Sequence, residues 1–199
     1  GDNADHAHTD CCGDGASFAT RLSVAKYAEK GMQGRGVMVD LARHFGPGRT
    51  LVDGSTLINL IDSEKIAVEP GDMLVLRTGF SEAIVDMGGQ PDHATLNQTG
   101  AVLDGSDETL LNWITGSGVA AICCDNYAVE AYPAKTTYSI LPLHHHCLFK
   151  LGVPLAELWY LKDLAHWLHG HQRHHFMLTA PPLRLPGAVG SPVTPIATV

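Results

Sequence analysis

The chain has 199 residues, 45% hydrophobic and 17% charged, with a formal net charge of −8, which is the composition of one packed domain spanning residues 1–199. The negative balance argues against nucleic acid or an anionic membrane as partner, since both require clustered Lys and Arg. There is no run of about 18 apolar residues, so no membrane-spanning helix is expected. The odd set of five cysteines, with Cys11–Cys12 and Cys123–Cys124 adjacent, gives no disulfide framework. A reducing, cytoplasmic setting follows as the expectation.

Residues 1–20 are polar and rich in Gly, Asp and His, and read as loop. Ser23 is placed to cap a short helix over 24–30, which Gly31 ends. An apolar run over 36–41 reads as a strand with Asp40 near its end. A helix is expected over 57–61 and a turn over 69–72, at Glu69-Pro70-Gly71-Asp72. A second strand follows over 73–78. Residues 82–105 have little periodicity and read as a long loop. Ser106 is the expected cap of a helix carrying Leu110, Leu111 and Ile114 on one face. The fully apolar run over 119–124 is a third strand, stopping at Asp125-Asn126. A helix is expected over 147–151, another around Leu161, Leu164, Ala165 and Leu168, and a late strand over 176–180. The tail from 181 to 195 is rich in Pro and Gly.

Strands and helices alternate, which predicts an α/β architecture. Three apolar strands end in polar groups, at Asp40, Arg77-Thr78 and Asp125-Asn126. Such strand ends are where α/β sites form, although the same groups also serve to cap and orient loops. Five histidines fall within 166–175; their spacing fits no standard zinc pattern, and a solvated helix end is the expected role. There is no Gly-x-Ser-x-Gly elbow and no phosphate-binding glycine loop. Cys123-Cys124 beside Asp125 suggests a thiol nucleophile only weakly, because burial is expected there.

Four segments together resemble the cyclase superfamily of metal-dependent hydrolases, which includes kynurenine formamidase and isatin hydrolase. Arg35-Gly36-Val37-Met38-Val39-Asp40-Leu41-Ala42-Arg43-His44 is similar to its "RGVLLDxARH" strand, and 69–79 to its "xPGDxLLxRTGW" strand. Cys124-Asp125-Asn126-Tyr127-Ala128-Val129-Glu130 resembles "xDNxAVE", and 180–195 resembles "APLRLxGxxGSPxNP". Their order and spacing across 34–196 match best the longer, bacterial-type branch.

The resemblance implies a swivelling β/β/α fold, lacking its N-terminal part in this chain, and a homo-oligomer, dimer or tetramer. It implies a divalent metal, zinc or manganese, that activates water against the carbonyl of a small amide, lactone or ester. The family's C-terminal ligand pair maps onto Pro142-Leu143-His144 and onto Glu157 of Gly152-Val153-Pro154-Leu155-Ala156-Glu157. His144 and Glu157 are thus the expected catalytic and metal-binding residues, with His145 as the alternative histidine. The N-terminal "HxGTHxDxPxH" motif has its nearest string in Asp5-His6-Ala7-His8-Thr9-Asp10, so His8 and Asp10 are the further metal candidates. The Gly-Thr pair is absent there, and the preferred explanation is a motif-bearing segment outside this chain. Asp125, Asn126 and Glu130 are expected to orient ligands or bind substrate, and His44, after a strand end, is a further substrate-binding candidate. The competing expectation is a non-catalytic binding or scaffold protein with the same fold.

Overall fold

The computed structural model describes residues 19, 21–136 and 139–199. The chain divides into two compact units, 35–177 with Val199, and 1–34 with 178–198.

The larger unit is built on parallel strands. β1 (Gln33–Asp40), whose first two residues belong to the smaller unit, leads into the five-residue helix α2 (Leu41–Phe45). β2 (Thr50–Val52) and α3 (Gly54–Ser63) follow, then β3 (Met73–Arg77), α4 (Phe80–Asp86) and α5 (His93–Leu96). β4 (Ala101–Leu103), α6 (Glu108–Ser117) and β5 (Ala121–Cys124) come next. The short helix α7 (Pro142–His144) runs directly into a π-helical turn at His145–Leu151. β6 (Leu155–Ala156), α8 (Lys162–Gly170) and β7 (His175–Thr179) complete it, β7 ending in the smaller unit.

The strand order is β6-β5-β3-β1-β7. β1 pairs with β3 from Gly36↔Met73 to Asp40↔Arg77, β3 with β5 from Met73↔Ala121 to Leu76↔Cys124, and β5 with β6 at Ile122↔Leu155 and Cys123↔Ala156, all parallel. β3 and β5 are buried at every position. This is why their sequences are continuous apolar runs rather than alternating ones: helices cover both faces of such a strand. A separate two-stranded parallel sheet joins β2 to β4.

The core unites Val37, Val39, Leu74, Leu76 and Ile122 of the sheet with Leu57 and Leu60 of α3 and Leu110 and Ile114 of α6. Each fully buried aliphatic side chain contributes roughly 2 kcal/mol. α3 and α6 approach so closely that a Cβ at Gly54 would lie 2.7 Å from the Leu110 Cα. Gly36 likewise leaves room for the Phe176 ring, 2.6 Å from where its Cβ would stand.

In the smaller unit, α1 (Ala25–Lys30) ends at Gly31, where φ is +78°, and β8 (Ile196–Thr198) lies near the chain's end. Ser23 and Val24 bind the carbonyl of Ala188, and Gln33 donates to Thr179.

Several expectations are corrected. The stretch over 82–105 is not a long loop: it holds most of α4, all of α5, and β4. These elements are three to seven residues long, too short for periodicity to register. Asp107, not Ser106, caps α6, its carboxylate accepting from Leu110 N at 2.8 Å. Ser106 instead binds the Asp104 carboxylate.

Candidate functional site

Parallel strands in register put their carboxyl ends on one rim. There β1 ends in Asp40, β3 in Arg77, β5 is followed by Asp125 and β6 by Glu157.

Arg77 is an ion-pair hub. Its guanidinium donates to both oxygens of Asp40 at 2.8 Å and to Glu82 at 2.6–2.7 Å, and its side chain is only 10% exposed. Asp125 is 0% exposed and accepts from Thr78 N and Oγ1 at 2.7 Å, from Gly79 N at 2.8 Å and from Ser81 Oγ at 3.4 Å. Burial raises its pKa, and these donors only partly offset that rise. Asn126 closes the loop after β5: its Oδ1 accepts from Ala128 N and Val129 N, and its Nδ2 donates to Ala101 O. That turn holds Val129 at φ +58°, a conformation costing a β-branched residue about 1–3 kcal/mol. Glu130 is then fixed by a bridge to Leu103, with Ala131 N donating to Leu103 O at 2.8 Å.

The Glu130 side chain is fully buried and carries three donors. Leu143 N reaches Oε2 at 3.0 Å, while His144 N and His144 Nδ1 reach Oε1 at 2.9 and 2.8 Å. The opposite ring nitrogen, His144 Nε2, lies 3.1 Å from Glu157 Oε1. Glu157 is held from both sides, by β6 before it and by Leu158 N donating to Asn126 O and Trp159 N to Cys124 O after it. Burial alone would lower the His144 pKa. Hydrogen bonds to Glu130 and Glu157 outweigh it and raise the pKa to about 9.

This arrangement fits a metal ligand pair. Two ligands each about 2.1 Å from one cation stand roughly 3.0–3.4 Å apart, and Nε2 and Oε1 are 3.1 Å apart. An imidazole whose second nitrogen donates to a carboxylate is also the usual form of a metal-bound histidine. Among the described residues no group of three or more His, Cys, Asp or Glu side chains is arranged to hold a metal ion. His144 and Glu157 offer two of the donor atoms that such a site needs. His8 and Asp10 lie outside the described residues.

The other expected residues fall elsewhere. His145 is exposed and stacks on Phe149, with ring centroids 5.5 Å apart, while its neighbour takes the contact with Glu157. Asp125, Asn126 and Glu130 are all buried, and their polar atoms have partners within the chain. His44 is exposed and packs edge-on against Phe45. Arg43, its neighbour, contacts His169 Nδ1 at 2.6 Å in a cavity of about 320 Å3 lined by Asp40, Arg43, Arg77, His166 and His169 with Ala42 and Ala165. Sequence reasoning did not single out that cavity, because its histidines come from α8, distant in the chain. Nor did it find Gly105, whose small size admits the Glu130 carboxylate; no local pattern marks such a glycine. The thiols of Cys123 and Cys147 are pushed up to about 12 by burial, and Cys124 higher still, which leaves them inert as nucleophiles.

Comparison with known proteins bears on the family and the fold. The Cyclase family model, described as "Putative cyclase", matches residues 6–131. A crystal structure of a novel cyclase superposes with a TM-score of 0.76 at 33% identity, covering 91% of this chain and 58% of that one. Isatin hydrolase A from Ralstonia solanacearum gives 0.66 at 16% identity, covering 88% and 63%. A "potential metal-dependent hydrolase with cyclase activity" gives 0.58 at 17% identity, covering 92% and 70%. The chain thus spans less than two-thirds of the length of the first two. The search of curated proteins gives no match.

Proposed function

Because the chain belongs to the cyclase family, whose solved relatives include isatin hydrolase and a potential metal-dependent hydrolase, we propose that it serves as a metal-dependent hydrolase of a small amide, lactone or ester. The observation that carries this reading is the His144 ring held between a buried carboxylate and Glu157, with Nε2 and Oε1 at ligand-to-ligand distance.

His144 Nε2 and Glu157 Oε1 would hold a divalent cation, zinc or manganese, with His8 and Asp10 as this chain's candidates for further ligands. When bound, such a cation lowers the pKa of a coordinated water toward neutrality and polarises a carbonyl. The protein's own groups orient that site. Glu130 accepts the Nδ1 proton of His144 and thereby keeps Nε2 as the ligating atom. β6 and the paired backbone after it hold Glu157 at the rim. Asp125 and Asn126 shape the loops that carry Thr78 and Glu130. A small-molecule substrate and a homo-oligomeric assembly complete the proposal.

The test is metal content by plasma mass spectrometry after zinc or manganese loading, with hydrolysis of an aryl formamide, lactone and ester panel. Near-stoichiometric metal is expected, falling to background in His144→Ala and Glu157→Ala, with hydrolysis falling alongside it. Metal that both variants retain, or none in the parent chain, overturns the reading and favours a cyclase-fold binding module.

A further inference from the structure

The Glu130 carboxyl group is closed off from bulk water, and its side-chain hydrogen bonds all come from a single turn. Its side chain is 0% exposed. Both oxygens are filled by the N–H groups of Leu143 and His144 and by the His144 ring. The carboxylate thus caps the first turn of α7 and orients the imidazole at once. A buried carboxylate this close to backbone needs space on its far side, and Gly105 supplies it. A Cβ there would collide with Glu130 Oε2, and would lie 2.8 Å from Cδ and 3.0 Å from the Leu143 Cβ. Gly105 does not lie in the left-handed region, so its backbone alone would accept alanine. What the position excludes is volume, and that volume is occupied by the group that aims His144.

We infer that Gly105 and Glu130 form one positioning unit for His144: the missing side chain at 105 seats the Glu130 carboxylate, and the carboxylate fixes which imidazole nitrogen faces Glu157. The geometry stands by itself; its purpose rests on the metal-dependent reading above. Gly105 touches neither the ring nor Glu157 in this scheme and acts chiefly through Glu130, the 3.0 Å approach to the Leu143 Cβ being the lesser contact. Most of its effect should therefore vanish when Glu130 is truncated, because the alanine at 130 vacates the volume that the new methyl group would enter, leaving only the tight approach to Leu143.

The experiment is a double-mutant cycle over Gly105→Ala and Glu130→Ala, with Glu130→Gln as the conservative variant. Zinc affinity is read by competition with a chromophoric chelator, folding by circular dichroism melts, and ring alignment by the His144 Nδ1–H signal in 15N-edited NMR of the metal-free protein. Each single variant is expected to weaken zinc about 10–100-fold and to lose the slowly exchanging Nδ1–H signal. Gly105→Ala should add little in the Glu130→Ala background. Glu130→Gln keeps an oxygen for Nδ1–H and should recover part of both readouts. A Gly105→Ala variant that melts lower yet keeps parental affinity and the ring signal overturns the inference and leaves Gly105 merely structural. Additive losses in the cycle also overturn it. If the parent chain takes up no zinc, the hydrolase reading fails, while the ring-proton comparison still decides the positioning.

Discussion

Asp125 and Glu130 are buried acids in the same loop, and each meets its charge differently. Asp125 spends its oxygens on Thr78, Gly79 and Ser81, tying the end of β5 to the start of α4. Asp125→Asn would turn an amide N–H toward a backbone donor that has no other partner. The expected loss is about 2–3 kcal/mol of stability in a denaturant melt, and metal uptake per folded molecule should stay unchanged. A loss of metal at parental stability would return Asp125 to the site. Asp72 gives the matching case in pH. Burial opposes its ionisation, but Arg35 donates to both its oxygens at 2.7 and 2.8 Å and Glu69 N adds a third bond, so its pKa lies below the usual value. A depressed carboxyl contributes stability above its unfolded pKa of about 3.9 and loses it as pH falls through the lower folded value. Asp72→Asn should therefore melt lower than the parent at pH 7, and the gap should close below about pH 4. A gap of constant size down to pH 2 would show that the ion pair contributes nothing.

Among the elements, α6 depends on a side chain that serves two helices. The Asp107 carboxylate accepts from Leu110 N at 2.8 Å and from Gly54 N, at the start of α3, at 2.9 Å. An N-cap is worth about 1 kcal/mol, and this one also satisfies the neighbouring helix. Asp107→Ala should cost about 1–2 kcal/mol, read as a lower denaturant midpoint with unchanged slope; Ser106→Ala should cost less. The sequence shows why the cap was misplaced: Ser106 and Asp107 are both good capping residues, and only the chain's path from Asp104 decides between them. The π-helical turn at His145–Leu151 was legible as helix but not as π. Such turns concentrate at functional positions, and this one begins beside His144.

Across the larger unit, the parallel register gathers Asp40, Arg77, Asp125 and Glu157 along one rim. Ion pairs and loop scaffolding use most of that rim. Arg77 is neutralised by Asp40 and Glu82, Asp125 is enclosed, and the His144–Glu157 pair stays partly exposed. No helix among the described residues is long and apolar enough to cross a membrane.

The cyclase fold was legible in the apolar runs that became β1, β3 and β5 and in the motifs that match the family. The His144–Glu157 candidate pair was also singled out there. Continuous hydrophobic runs and short capping patterns are local, and burial on both faces of a parallel strand permits little else. Contacts between distant segments place Asp125 and Asn126 inward, bring His144 rather than His145 to Glu157, and let Gly105 make room for Glu130. A residue type states what a side chain can bind; which neighbour it binds depends on contacts brought together from β4, the loop after β5, α7 and the end of β6. No window of sequence contains all of these.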